Sequence, residues 1–260
     1  MDPRRLEGTL LRVTRALPDL SLRVSYVSGV LTTTPVAPLA KALDALCARA
    51  EQAEEPAREV LLSVVDALGT PELHGVTQLL REEAAGESLL SLERLVRQPP
   101  PSRAAPEIES SEPRVPEYVK GRTLTLGERK SLARKPNRSA IEKLLRDPHP
   151  VVIRRLLENP RVTEDDVVRL AARRPGLPEI LSEIARTPMW LHRARVRLAL
   201  MLNPDTPPEV AAPLAGLLVR QELHLVAEAA CVPPHVRALC IEHLERRPPV
   251  ARESEGEPVQ

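Results

Sequence analysis

Four residues near the C-terminus carry the ligand types of a zinc site. Cys231, His235, Cys240 and His243 form C-x3-H-x4-C-x2-H, thiolate and imidazole donors within a short span. On one helix Cys240 and His243 share a face while His235 points elsewhere. Closing a tetrahedron then needs a bend, which Pro233-Pro234 can supply. Cys240 lies between Leu239 and Ile241, and cysteine is commonly buried as a small hydrophobe. Core packing is the preferred reading, and no metal or other cofactor is expected.

Other reactive patterns are thin. Glu164-Asp165-Asp166 is a carboxylate cluster, but acids in a first helical turn are explained by the helix dipole. His149 stands alone between two prolines. The chain has no G-x-x-x-x-G-K-[ST], no G-x-G-x-x-G after a strand and no G-x-S-x-G. These absences argue against an enzyme.

The basic side chains are more informative. Arg129, Lys130, Arg134, Lys135, Arg138 and Lys143 come first, then Arg154, Arg155, Arg169, Arg173 and Arg174, then Arg193, Arg195 and Arg197. Net charge is only +1, but residues 120–200 hold 19 basic against 9 acidic side chains, a balance of +10. Such segregation bears on association rather than fold. It fits a solvated outer face, a docking surface for an acidic protein, or a DNA-backbone contact. Duplex phosphates need only Lys and Arg. Single-strand recognition usually adds stacking aromatics, and this chain has one Trp, two Tyr and no Phe. Docking of an acidic protein partner through Arg129, Lys130, Arg134, Lys135, Arg154, Arg155, Arg169, Arg173, Arg193, Arg195 and Arg197 is the preferred function. Nucleic acid is the alternative.

The elements that must position these groups are short helices arranged in repeats. Val151–Ala171 runs an apolar, Arg-bearing helix into Asn159-Pro160, and Val196–Ala215 does the same into Asn203-Pro204. Leu132–Leu145 is a degenerate copy. Proline ends a preceding helix by lacking the amide hydrogen and disfavouring a helical residue before it. Thr163 and Thr206 then read as N-caps, Ser139-x-x-Glu142 as a capping box, and Pro207 as a first helical residue. Pro136 to Pro160 and Ser139 to Thr163 are both 24 residues, and Asn159 to Asn203 is 44, close to two such units. Repeats of ~20–50 residues mark stacked solenoids.

The pattern V-x-x-x-L-x-x-N-P-x-x-T-x-x-x-V, with R-x-P before it, resembles the leucine-rich repeat variant group, related in shape to HEAT-like repeats. The resemblance covers roughly residues 120–245. It implies an α-solenoid of short helical hairpins in a right-handed superhelix, with a long surface for binding. Some members of that group carry an iron–sulfur cluster on a cysteine-rich N-terminal segment. Cys47 is the one cysteine in the N-terminal half, so no cluster is implied. Some HEAT-like proteins bind DNA backbone through a basic concave face.

The chain as a whole reads as all-α in two parts. Residues 1–97 form an N-terminal helical segment, whose Thr70-Pro71-Glu72 echoes the later Thr-Pro starts. Residues 98–119, with six prolines, read as an extended, mostly disordered linker. Residues 120–246 are the repeat domain and 247–260 a disordered acidic tail. The sole strand candidate, Leu22–Thr34, alternates only in part. No signal peptide or membrane span is visible, and three cysteines do not read as a disulfide framework. A reducing cytoplasm is the default expectation.

Overall fold

The computed structural model describes residues 2–97, 115–118 and 122–247. Among the described residues the chain is all-α, with sixteen helices, one 3-10 turn and no strand. Most of the expected linker and all but Arg247 of the expected tail lie outside the described residues.

The N-terminal half holds six helices. α1 (Pro3–Ala16) starts on a proline behind Asp2, whose carboxylate accepts from the Arg4 amide. α2 (Leu20–Thr33) is capped by Asp19, which accepts from the amides of Ser21 and Leu22. The strand candidate is therefore a helix. A carboxylate at the N-cap takes two of the free amides, and Val27 and Leu31, four apart, become the buried side of the helix. α3 (Val36–Glu51) buries Leu39, Leu43, Leu46, Cys47 and Ala50. Each such Leu contributes roughly 1.5–3 kcal/mol. α4 (Glu55–Leu68) ends at Gly69 as the sequence indicates. A 3-10 turn at Pro71–Leu73 leads into α5 (His74–Gly86) and α6 (Leu90–Leu95).

The C-terminal half holds ten shorter helices: α7 (Leu126–Ala133), α8 (Arg138–Leu144), α9 (Pro150–Leu157), α10 (Glu164–Ala171), α11 (Pro178–Ala185), α12 (Pro188–Leu191), α13 (Ala194–Met201), α14 (Pro208–Leu217), α15 (Arg220–Glu228) and α16 (Pro234–Arg246). Five of them, α9, α11, α12, α14 and α16, begin on proline, where a missing amide hydrogen removes a donor that would have no helical partner. Helix α9 packs against both α7 and α11, α10 against α13, and α14 against α16.

Two local expectations are corrected. Helix α8 is capped by Asn137, whose side chain accepts from the Ala140 amide, so Ser139 and Glu142 form no capping box. Thr206 is buried and donates back to the Leu200 carbonyl at 2.6 Å, while Pro207 is the N-cap and Pro208 the first helical residue. His192 and Arg193 separate α12 from α13. Thr163 and Thr125 do form capping boxes, with Asp166 and Glu128.

The two halves touch. Helix α14 packs on α3, α4 and α6, and α12 on α2 and α4. Arg97 reaches Glu242 of α16 at 2.8 Å. Buried apolar side chains form one continuous cluster from Leu6 in α1 to Cys240 in α16. No helix among the described residues is long and apolar enough to cross a membrane.

Candidate interaction surface

The surface is built on the Asn-Pro turns. Asn159 follows α9 and is buried. Its amide donates to the carbonyls of Ala133 (2.7 Å) and Lys135 (3.0 Å) at the end of α7, and its oxygen accepts from the Arg161 amide at 3.0 Å. One side chain thus satisfies the Ala133 carbonyl that the helix end leaves without a partner, adds a second donor to the Lys135 carbonyl beside the Asn137 amide, and fixes the turn that presents Arg161.

The basic residues singled out from sequence divide into three groups. Arg129 and Arg197 are buried, at 7% and 8% exposure, and so cannot belong to a docking face. Arg129 pairs with buried Asp147 at 2.7 and 2.8 Å. Arg197 donates to the Leu191 carbonyl at 2.9 Å, and burial holds its pKa below the usual guanidinium range. Their helices turn these positions inward, which residue type alone does not reveal.

The second group is exposed or half-buried but already paired. Arg154 of α9 makes two 2.6 Å bonds to Glu183 of α11. Arg155 pairs with Glu158 three residues on at 2.9 Å. Arg169 meets Asp166 within α10 at 2.5 Å. Arg193 lies 4.0 Å from Glu164, and Arg195 is 2.7 Å from Asp165. Several of these guanidiniums therefore tie one helix to the next.

The third group is Lys130, Arg134, Lys135 and Arg173. Lys130 is half-buried and the others are exposed. Arg134 and Lys135 follow α7, and Arg173 follows α10. The site also contains residues that the sequence reading missed. Two adjoining grooves run between α8 and α10. One, of about 520 Å³, is lined by Pro136, Arg138, Arg161, Thr163, Asp165 and Arg169. The other, of about 510 Å³, is lined by Glu142, Leu145, Arg146, Arg169, Leu170 and Arg173. Arg169 belongs to both.

Five guanidiniums thus face Glu142 and Asp165 across the grooves, with Asp166 buried beneath. Asp166 is gripped by both amino groups of Arg138 at 2.6 Å. That pairing, then the Thr163 cap, holds its carboxyl well below the usual range despite burial. Arg146, Arg161 and Arg173 have no ion-pair partner among the described residues. Arg161 had a signal in the sequence, its place two residues after Asn159 in the Asn-Pro turn.

Matched against known protein families, curated proteins and solved structures, the chain has no counterpart among them.

The zinc ligand types do not assemble. Among the described residues no three His, Cys, Asp or Glu side chains are grouped to hold a metal. Cys240 is fully buried and burial pushes its thiol up to about 12. His243 is buried and is pushed down to about 4, by burial first and then by Arg247 and Arg94. Cys231 and His235 are exposed, with the Cys231 sulfur accepting from Arg174 at 3.3 Å. The spacing placed two ligands in the core and two on the surface.

Tyr118 is the other residue missed. It lies inside the expected linker, yet it is buried and its hydroxyl donates to Asp147. Burial and that carboxylate both raise its pKa. The Arg129–Asp147–Tyr118 cluster holds the chain against α7.

Proposed function

We propose that this protein is a non-enzymatic binding scaffold whose C-terminal half is an α-solenoid of short hairpins, similar to HEAT and leucine-rich-repeat-variant arrays. It docks an acidic protein segment in the grooves between α8 and α10. The observation that carries this reading is the sharing of Arg169 by two open basic grooves with Arg146, Arg161 and Arg173 on their walls. An extended segment laid along them meets cations at both ends. The local acids are already engaged by Arg138 and Arg195, so the remaining guanidiniums are left for a partner. The three free cysteines suit a reducing compartment such as the cytoplasm.

Electrostatics then governs the on-rate and salt sensitivity of docking. The experiment is fluorescence anisotropy of a short labelled polyglutamate peptide. Binding is expected at low salt, weaker once the Debye length shrinks to ~3 Å in ~1 M salt. It is expected to disappear in Arg146→Glu/Arg161→Glu/Arg173→Glu. If random duplex DNA binds the wild type more tightly than the peptide under the same salt, the DNA-backbone reading replaces this one. If neither binds, the grooves are a solvated face.

A further inference from the structure

A second concavity lies where the two halves meet, and it shares no lining residue with the basic grooves. It is a cleft of about 200 Å³ between α4, α5 and α6 on one side and α11, α12 and α14 on the other. Its floor is apolar, with Leu68 and Leu95 from the N-terminal half and Leu191 and Val210 from the C-terminal half. Its walls carry the charged Arg81, Arg97, Arg186 and Glu209, together with the imidazole of His74 and the hydroxyl of Thr77. The combination is that of a ligand site: an apolar surface with a few convergent polar groups, at a junction between packed units.

Size and charge define the ligand. The volume is below the ~300–1,000 Å³ of a cofactor or drug-sized molecule, so the occupant is small. Arg97 is already neutralised by Glu242, with bonds of 2.8 and 3.2 Å. Glu209 offsets one of the two remaining guanidiniums. Arg81 donates its Nε to the Val96 carbonyl at 2.5 Å, and Arg186 is only weakly engaged, 3.8 Å from a Glu183 that Arg154 already holds. The cleft therefore has a surplus of one positive charge over an apolar floor. We infer that it binds a small amphipathic monoanion, a free aliphatic carboxylate whose chain packs on Leu68, Leu95, Leu191 and Val210 while its carboxylate meets Arg186 and Arg81. A zwitterion or dianion does not match this balance, and a neutral chain leaves the guanidiniums without their anion.

Because the walls come from both halves, such a ligand also holds α4–α6 against α11–α14. It stabilises the folded chain by an amount that grows with the logarithm of free ligand over Kd. This inference is independent of the docking proposal, since it uses none of the groove residues.

Isothermal titration of the full chain with octanoate, 1-octanol and acetate tests it. Octanoate is expected to give saturable one-to-one binding with a negative heat-capacity change and to raise the thermal midpoint. Octanol is expected to bind at least about tenfold more weakly, a free-energy difference of ~1.4 kcal/mol, and acetate not measurably. Arg186 is exposed and lies 3.8 Å from buried Glu183. The variant used is therefore Arg186→Gln, which removes the charge without setting a second carboxylate there, and its thermal midpoint without ligand is expected to match the wild type. This substitution is expected to weaken octanoate about tenfold and leave octanol unchanged. Equal affinity for octanol and octanoate, equal affinity for acetate and octanoate, or no saturable octanoate binding each overturns the assignment.

Discussion

Asn159 and Asn203, 44 residues apart, make the same three hydrogen bonds. Each amide donates at 2.7 Å to the carbonyl of the last residue of an earlier helix, Ala133 of α7 or Ala171 of α10, and at 3.0 Å to the carbonyl two residues on. Each side-chain oxygen accepts at 3.0 Å from the amide two residues ahead, Arg161 or Asp205. The intervening chain differs, with α8 alone between α7 and α9 but both α11 and α12 between α10 and α13. The turn is thus repeated within the molecule while its spacing is not.

Replacing either asparagine should therefore be disproportionately damaging. Asn159→Ala leaves the buried Ala133 carbonyl without its donor, while the Lys135 carbonyl keeps the Asn137 amide at 2.8 Å, and a buried unsatisfied group costs about 1–3 kcal/mol. A loss of about 1–3 kcal/mol is expected in urea unfolding, and one at least as large for Asn203→Ala. Asn159→Asp is expected to be worse, because a carboxylate oxygen then faces carbonyl oxygens. Losses below about 0.5 kcal/mol would show that the shared geometry does not stabilise the array.

The repeat turns were legible because Asn-Pro acts locally. The partners of the arginines were not. Arg154 finds Glu183 and Arg138 finds Asp166 only after α9 packs on α11 and α8 approaches α10, and no spacing rule within one helix predicts those meetings. Burial of Arg129 and Arg197 is equally a property of packing. Thr206 shows a local failure. One residue fewer separates it from its proline than separates Thr163 from Pro160, so its hydroxyl falls back onto Leu200 instead of forward onto the next helix. Tyr118 was hidden by its neighbours, since the prolines and acids that precede it, down to Pro116-Glu117, made its segment look like spacer.

The Arg129–Asp147 pair gives a sharper test. Both partners are buried and Asp147 is fully so. Breaking a buried pair by removing one member typically costs about 3–5 kcal/mol, because the other charge is left uncompensated. Arg129→Met is expected to fall in that range by chemical denaturation. Arg129→Met/Asp147→Asn should recover part of the loss by removing the stranded charge. A double variant no more stable than the single one would mean that the pair's hydrogen bonds, rather than its charges, dominate.

Stability should vary with pH in two opposed ways. His243 and His192 are each held down at about 4, by burial first, against ~6.5 for a free imidazole. His243 is faced by Arg247 and Arg94 as well as Glu51 and Glu242, and His192 by Arg197 and Arg23. Between those two values the unfolded chain binds more protons than the folded one, so stability falls as pH drops from about 6.5 to about 4. Asp66 has the reverse sign. Burial raises its carboxyl to about 7, and its Oδ2 has no hydrogen-bond partner. The folded state keeps that proton longer, so stability falls as pH rises from about 4 to about 7. Asp66→Asn should therefore stabilise at pH ~8, by up to about 4 kcal/mol at ~1.36 kcal/mol for each tenfold change in proton affinity, and change little at pH ~4. His243→Gln should flatten the acid limb. A gain from Asp66→Asn that is the same at both pH values would rule out titration as its cause.

Arg247 joins the two halves and should be the least replaceable residue in the seam. It is buried at the end of α16. It donates to the Ala50 carbonyl of α3 and, at 2.8 and 3.1 Å, to the carbonyls of Gly216 and Leu218 at the end of α14. Burial, with Arg58 nearby, pushes its pKa down to about 10, so it stays charged at neutral pH. Its planar fork matches three carbonyls at the close of two helices, where the helix dipole also favours a cation. Arg247→Lys keeps the charge but offers a single ammonium on a flexible stem, which cannot span all three. Arg247→Ala is expected to cost about 3 kcal/mol, on the scale of one or two bonds to a charged donor, and Arg247→Lys more than half of that. Limited proteolysis reads the consequence directly. Both variants should be cut faster after α3, around Gln52-Ala53, where the chain loses its contact with the other half. Unchanged cleavage there together with unchanged stability would show that the packing of α14 on α3, α4 and α6 holds the halves together without it.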